Sequence, residues 1–373
     1  MMDSTTEAWY QIKNVDELDT PALVFYPERI KENINILKSF VTDAGRLRPH
    51  VKTHKCAEVT RLMMDAGIIK YKCATIAEAE MLGMCQAPDV LLAYQPVITK
   101  VHRLIQLIFS YPETSFSCLV DNNASATMIS AEAEKFGFNI NVFLDVNIGM
   151  NRTGILPAHT FELYQFCSTL PGISVKGLHA YDGHIYEPDL QKRTEECLED
   201  FAPVQQLMAQ IEEAGFTKPV IVAGGTPTFP VFTKVPDVEC SPGTFALWDK
   251  GYGSLFPDLP FLPAALVVTR VISKPDDYTL CLDMGHKAIA AENELAKRVE
   301  ILNLPNLQFV GHSEEHLVVR TAEPNSISIG ELYYGLPVHV CPTCALYDRV
   351  GVVEDGALTA EWKIIARDRV INY

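Results

Sequence analysis

The 373-residue chain has no apolar run long enough to cross a bilayer: stretches such as Val90 to Tyr94 and Phe261 to Val268 fall far short of the roughly twenty residues a spanning helix needs. Positive charge is scarce too. With 31 Lys and Arg against 47 Asp and Glu, the formal net charge of -16 repels a nucleic-acid backbone or an anionic membrane overall. Residues Met1 to Asp19 are polar and acidic and lack the apolar core of a secretory signal, so a soluble, cytoplasmic protein is expected. The 10 cysteines are scattered rather than packed into the dense framework of a small secreted fold, and are expected to be reduced and buried. Cys341-Pro-Thr-Cys344 has no second Cys-x-x-Cys to complete a four-cysteine zinc site. Internal repeats and low-complexity segments are missing as well.

What is present, from residue 20 to about 245, is a steady alternation of short β-rich runs with longer amphipathic stretches. Candidate strands are Ala22-Tyr26, Leu47-Val51, Ile69-Cys73, Val90-Tyr94, Phe116-Val120, Asn141-Val146, Ser174-His179, Val220-Ala223 and Val238-Cys240. Helical patterns such as Ala57 to Ala66, Ser125 to Phe136 and Leu190 to Ala214 lie between them, with glycine tending to follow. Repeated strand-helix units imply parallel strands with crossover helices. The expected fold is α/β, a (β/α)8 TIM-type barrel over residues 20–255, with an open doubly wound sheet as the rival. Nine candidates are one more than eight, so the first or the last should lie outside the barrel. The Pro-rich passage Phe256 to Pro263 reads as a linker, and the alternating runs after it predict a carboxy-terminal β domain over 256–373, joined by residues 1–19.

Barrel active sites collect at the carboxyl ends of the strands. Arg48-Pro-His-Val-Lys52-Thr-His-Lys55 ends one candidate strand and surrounds Lys52 with cations and imidazoles. Nearby positive charge disfavours an ammonium, and a lysine so placed is a candidate for Schiff-base chemistry; a solvated basic loop that binds an anion is the competing reading. Asn147 to Arg152, Tyr181 to His184 and Gly224-Gly225-Thr226 follow other strands and would face the same mouth. Gly224, Gly225 and Thr226, late in the strand order, suit a phosphate, and the Ser241-Pro-Gly243-Thr244 turn can form a second side of that cradle; an ordinary tight turn before Pro227 is the alternative. Arg152 is a fixed cation able to hold a phenolate or carboxylate oxygen, and His184 can stack on a ring or shuttle a proton.

In the β domain, His339-Val-Cys341 places an imidazole and a thiolate two residues apart, on one side if the backbone is extended. That nitrogen and sulfur pair suits Zn²⁺ better than Mg²⁺, and two protein ligands leave positions open for catalysis. Cys341 with Cys344 as a redox or zinc pair is the rival, and His312 with His316, four apart as on a helix face, is a weaker chelate.

The lysine motif together with His339-Val-Cys341 resembles the D-threonine aldolase and D-serine dehydratase family, fold type III pyridoxal phosphate enzymes with a barrel related to that of alanine racemase. The likeness runs from Leu18-Asp-Thr-Pro-Ala22 through Gly149-Met-Asn-Arg-Thr-Gly154, Gly224-Gly-Thr-Pro227, Ser241-Pro-Gly-Thr244 and Ser313-Glu-Glu-His316. It implies that Lys52 holds pyridoxal 5'-phosphate covalently and that His339 and Cys341 bind a divalent metal, Zn²⁺ before Mn²⁺. It further implies that Arg152 lies near the pyridoxal O3', Tyr181 and His184 near the ring, and Gly224, Gly225, Thr226, Gly243 and Thr244 near the phosphate. An amino-terminal strand in the β domain and a homodimer, each β domain over the partner's barrel mouth, are implied as well. His-x-Cys resembles the dehydratases, whereas the aldolases more typically show His-x-Asp. The expected activity is therefore a metal-assisted lyase on a D-3-hydroxy amino acid, by elimination to an oxo acid and ammonia or by retro-aldol cleavage to glycine and an aldehyde. An amino-acid racemase and a non-catalytic pyridoxal phosphate carrier are further alternatives; the carrier would lack the domain that bears His339 and Cys341.

Overall fold

The computed structural model describes residues 8–373, so the placing of residues 1–7 with the β domain lies outside the described residues. The chain divides into two compact units, residues through Asn33 with Ala246–Ile365, and Ile34–Phe245 with Ala366–Tyr373. The first strand, β1 (Ala22–Phe25), falls in the former.

In the latter unit, seven strands run parallel and in sequence order: β2 (Lys70–Cys73), β3 (Asp89–Leu92), β4 (Ser115–Val120), β5 (Ile140–Asp145), β6 (Ile173–Ala180), β7 (Val220–Ala223) and β8 (Val238–Cys240). The gap between β8 and β2 is filled by Leu47–Val51. Leu47 bridges Cys240 and His50 bridges Lys72, both in the parallel sense. Arg48 N–H donates to Cys240 O at 2.8 Å, His50 N–H to Pro242 O at 2.9 Å, Lys72 N–H to Pro49 O at 2.8 Å and Val51 N–H to Lys72 O at 2.9 Å. Pro49 offers a carbonyl but no N–H, which keeps this eighth member short and irregular. The barrel is thus closed, and the open sheet is excluded. Of the nine candidate strands it is the first that lies outside.

The crossover helices start where the sequence supplies caps. Thr75 Oγ1 accepts from Glu78 N–H, Asn122 Oδ1 from Ser125 N–H and Asp189 Oδ1 from Lys192 N–H, each satisfying an amide that the first helical turn leaves unpaired. Gly67 and Gly215 follow helices at φ of +87° and +85°, a region costly for any residue with a Cβ.

Inside the barrel, residues two apart along each strand face the axis and stack in layers. At one level Arg48 is fully buried, its Nε 2.7 Å from Glu239 Oε2 and its two terminal nitrogens 2.7 and 3.0 Å from the Asp89 carboxylate. Next comes an apolar layer of Leu91, Leu119, Phe143 and Val222, with Ala93 packed against it. The following positions toward the carboxyl ends are polar: Lys72 on β2, Asp145 on β5 and His179 on β6, all buried. An apolar plug therefore floors a polar mouth.

The other unit is built on a largely antiparallel sheet of β9 (Ala265–Ser273), β10 (Thr279–Leu282), β11 (Val299–Ile301), β12 (Gln308–His312), β13 (Leu317–Arg320), β14 (Leu332–Pro337), β15 (Arg349–Glu354) and β16 (Ala357–Lys363), together with β1. β1 pairs antiparallel with β9 and parallel with β15, so both its edges are hydrogen-bonded here. Asp355 and Gly356, at φ +50° and +73°, make the two-residue turn between β15 and β16. Val24, Tyr26, Leu266, Val268, Tyr334, Leu336 and Val353 form the core of this unit. The proline-rich passage is a packed connection rather than a loose linker. Phe256, Leu259 and Phe261 are buried, Asn33 exchanges two 2.7 Å hydrogen bonds with the Leu262 backbone, and Arg29 Nε donates to Pro263 O.

Arg48 reaches both Asp89 and Glu239, and Lys70 pairs with Glu239 as well. Arg48→Met should destabilise the protein by about 1–3 kcal/mol, because it removes charge-assisted hydrogen bonds from the barrel interior while Glu239 keeps its pair with Lys70 and Asp89 stays in contact with solvent; urea unfolding of the two proteins gives the difference directly.

Candidate active site

A cavity of about 540 Å³ opens at the polar end of the barrel, lined among others by His50, Lys52, Lys72, Gln95, Arg152, His179 and Tyr181. Lys52 stands at the end of the closing segment, where its own N–H donates to His50 Nδ1 at 3.3 Å. His50 is held well below its ordinary pKa by burial and then by the charges of Lys52 and Lys72, so its ring is neutral. The cations expected to crowd Lys52 are engaged elsewhere. Arg48 points into the layer below, Lys55 pairs with the buried Glu78, and His54 is a buried ring whose burial takes it down to about 3. The cation that does face Lys52 is Lys72, which the sequence reading overlooked.

Lys72 is completely buried and makes no ion pair. Its Nζ donates to Ser241 Oγ at 2.5 Å and lies 3.4 Å from His179 Nε2. Ser241 in turn donates to Gly224 O at 3.2 Å. His179 Nδ1 sits 2.7 Å from Asp145 Oδ1, so Nδ1 carries the proton and Nε2 turns its lone pair to Lys72. Burial and the Lys72 charge hold His179 below its usual value despite that carboxylate. Asp145 also accepts from Gln95 Nε2 at 2.7 Å and Thr153 Oγ1 at 2.8 Å; burial works against its charge, but these bonds and His179 win and keep it low.

Arg152 and Lys72 both lie over the Tyr181 ring, at 5.3 and 5.2 Å from its centroid, and Tyr181 stacks near His179. His184, by contrast, is outside the cavity lining. Its Nε2 is 2.8 Å from Asp200 Oδ2, and a Cβ on Gly149 (φ +129°) would stand 2.6 Å from that nitrogen. The imidazole therefore buttresses the loop that carries Arg152. The two turns of the expected cradle meet through Thr226, whose Oγ1 accepts from the N–H groups of Gly243 and Thr244, both at 3.0 Å. Gly225 N–H donates to Thr228 Oγ1 at 3.0 Å and to the buried Asp182 at 3.3 Å. A Cβ on Gly243 would come within 3.0 Å of His50 O, so the turn packs directly on the segment that ends in Lys52. A cavity of this size, with a lysine at its rim, an arginine and an aromatic wall, fits a pyridoxal ring; Gly224, Gly225, Thr226, Gly243 and Thr244, expected at the phosphate, are not among the residues that line it.

In the other unit, His339 and Cys341 converge, but not along an extended strand. His339 is extended at φ -132° and ψ 102° and is the residue before the short helix Val340–Cys344, so Cys341 sits in its first turn and hydrogen-bonds the imidazole. Glu292 Oε1 lies 2.5 Å from His339 Nδ1. Burial opposes a charged ring here, but Cys341, Glu292 and Asp249 outweigh it and raise His339 to about 9. Asp249 holds the arrangement from beneath: buried, and pushed up to about 6 by that burial, it accepts from Val340 N–H at 3.1 Å and Tyr252 N–H at 2.9 Å. Cys344 is buried, and none of the ten cysteines is in a disulfide. His312 and His316 are not on a helix. His312 ends β12, with Nδ1 2.8 Å from the Arg298 guanidinium and Nε2 3.1 Å from Met284 O, so both its nitrogens are used. Among the described residues no group of three or more His, Cys, Asp or Glu is placed to hold a metal. The nitrogen and sulfur donors of His339 and Cys341 fit a borderline-soft ion such as Zn²⁺ with positions left open. Also among the described residues, no helix is long and apolar enough to cross a membrane.

A closed parallel barrel with a mouth of this kind defines a class, and comparison with known proteins gives its membership. Residues 27–244 match the family model "Alanine racemase, N-terminal domain", and residues 264–353 match "Putative serine dehydratase domain". The chain belongs to the alanine racemase N-terminal domain family. It is 29% identical over 360 residues to a D-threonine aldolase of an Arthrobacter species, covering 94% of this chain and 93% of that protein. It is 25% identical over 355 residues to the D-threo-3-hydroxyaspartate dehydratase of a Delftia species, covering 88% and 93%. The crystal structure of D-threonine aldolase from Filomicrobium marinum superposes with a TM-score of 0.86 at 25% identity, over 96% of this chain and 98% of that one. Within its family the chain is a pyridoxal phosphate-dependent lyase of fold type III, of the D-threonine aldolase and D-serine dehydratase group.

Thr226 Oγ1 is the acceptor shared by both cradle turns. Thr226→Val should cost the cofactor-free protein about 1–3 kcal/mol in urea unfolding, since two buried amides lose their partner, whereas Thr226→Ser should retain most of it.

Proposed function

We propose that the chain is a pyridoxal phosphate- and metal-dependent lyase of D-3-hydroxy amino acids, and in particular a dehydratase of the D-serine type that releases an oxo acid and ammonia. The observation that carries this reading is the imidazole–sulfur pair of His339 and Cys341 with Glu292 behind it, in a chain whose barrel mouth suits pyridoxal phosphate. Lys52 is assigned the covalent bond to the cofactor and, once free, the removal of the Cα proton by its Nζ. Arg152 is assigned a phenolic oxygen and the Tyr181 ring a wall, and the turns of Gly224, Gly225, Thr226, Gly243 and Thr244 are assigned the phosphate, which would take over the N–H groups of Gly225, Gly243 and Thr244 now donated to Asp182, Thr228 and Thr226. The bound cofactor supplies an electron sink for the charge that develops at Cα. His339 and Cys341 are assigned the metal, Zn²⁺ by donor type, which would supply Lewis acidity to the substrate's β-hydroxyl. Glu292 on Nδ1 orients the ring so that Nε2 is the metal-facing atom. His184 is assigned a supporting place behind Arg152 rather than a contact with the ring.

A retro-aldol cleavage is the second reading, favoured by the whole-chain likeness to the Arthrobacter D-threonine aldolase. Both use the same side chains and differ in which bond breaks. Loaded with cofactor and zinc, the protein should give oxo acid with equimolar ammonia from D-serine or D-threo-3-hydroxyaspartate, and lose that activity with a chelator. Glycine with aldehyde from D-threonine would replace the dehydratase by the aldolase.

Two variants separate the roles. Lys52→Ala should abolish borohydride-fixable cofactor and activity. Cys341→Ala should retain the fixable cofactor yet lose activity by more than about a hundredfold. Full activity of Cys341→Ala would remove the metal from the reaction.

A further inference from the structure

Lys72 is a fully buried lysine on the inner wall of the cavity, with no carboxylate within ion-pairing distance, and such groups seldom persist without a function. Its hydrogen bonds can be counted. His179 Nε2 accepts one N–H, because Nδ1–H is committed to Asp145, and Ser241 Oγ accepts a second, because its own hydroxyl is committed to Gly224 O. An uncharged amine has then placed both hydrogens and keeps one lone pair; an ammonium keeps one N–H. Either way a single valence of Nζ remains, at a residue that lines the cavity. A substrate enters from the open mouth, whereas a group with 2% exposure meets what stays bound. Ser241 begins the turn that carries Gly243 and Thr244, so Lys72 is tied to the cofactor's cradle.

Resting on the reading of this cavity as a pyridoxal phosphate site, we propose that Lys72 is the partner of the cofactor's ring nitrogen, an amine that shares one proton with it where a carboxylate would fix that proton on the ring. Burial is the chief reason that the amine loses its charge easily, and Lys52 and Arg48 add to it; Asp182 and Asp145 act in the opposite sense, leaving the group near 7. His179 and His50, the other titratable groups against it, are both held neutral. The one shared proton sits either on the amine, which then donates to the ring nitrogen, or on the ring, which then donates to the amine; raising the pH removes it and leaves both nitrogens uncharged. The two groups titrate as a pair.

The test uses the full chain loaded with ¹⁵N-labelled pyridoxal 5'-phosphate and follows the ring-nitrogen resonance from pH 5.5 to 9.5 in wild type, Lys72→Met and Ser241→Ala. Wild type should show one transition of the ring-nitrogen resonance in this range, as the pair gives up its shared proton. Lys72→Met should hold cofactor that borohydride fixes at Lys52, bind it about five- to tenfold more weakly, and lose that transition. Ser241→Ala releases one of the two N–H groups and should move the midpoint by half a unit or more. An identical titration in wild type and Lys72→Met overturns the proposal. Should Lys72→Met fail to fold, an unmoved midpoint in Ser241→Ala does the same. Wild-type protein with no borohydride-fixable cofactor would overturn the cavity reading itself and this proposal with it, an outcome distinct from intact loading with an unchanged titration.

Discussion

The candidate site depends on the closure of the barrel by Leu47–Val51. Four backbone hydrogen bonds between 2.8 and 2.9 Å tie this irregular segment to Cys240 and Pro242 on one side and, twice, to Lys72 on the other. The segment fixes Lys52 at one end and sinks Arg48 at the other, where a fully buried guanidinium gathers Asp89 and Glu239. A short run of residues thus joins the chemistry at the mouth to the ion pairs that close the barrel interior. The same contact explains why Gly243 must be small, since the cradle turn rests against His50 O.

Charge above the apolar plug is arranged by subtraction. His50, His54 and His179 are all held neutral by burial, and Asp145 is committed to His179, Thr153 and Gln95. Burying a lysine without a salt bridge is expensive, and the energy must come from the packed barrel around it. What that expenditure obtains is an amine close to neutrality, set between two acceptors whose own hydrogens are already assigned.

Much of this was legible in the sequence because barrel periodicity is coarse and robust: the strand-helix alternation, the surplus strand, and the polar loops after Lys52, Val146, Ala180 and Ala223 all follow from it. Which strand was surplus was not legible, since Ala22-Leu-Val-Phe25 is as apolar in an antiparallel sheet as in a barrel. Attention to the loops after the strands also passed over the last inward residues within them. Lys72 between Tyr71 and Cys73, Asp145 at the end of β5 and His179 on β6 all obey the period of two, and a charged residue on the inner face of an apolar strand was the available signal. His184 drew notice because it follows a strand, yet the turn at Gly183 carries it away to Asp200. For His339 and Cys341 the convergence was anticipated with the wrong geometry. Pro342 and the Val340 N–H held by Asp249 favour a helical turn after His339, and the first turn of a helix brings the second residue back to its cap.

The two proposed features support one another chemically. A ring nitrogen paired with an amine holds its proton less firmly than one paired with a carboxylate, so the heterocycle draws less charge from Cα. A site with a weaker sink gains more from help at the leaving group, and an imidazole–sulfur pair oriented by Glu292 is suited to hold a Lewis acid for that task. Strengthening the sink by placing a carboxylate at position 72 would relieve the dependence on metal while inviting proton exchange at Cα without loss of the hydroxyl. If elimination is the reaction, that difference is a physical reason for an amine rather than a carboxylate on the buried wall of the cavity.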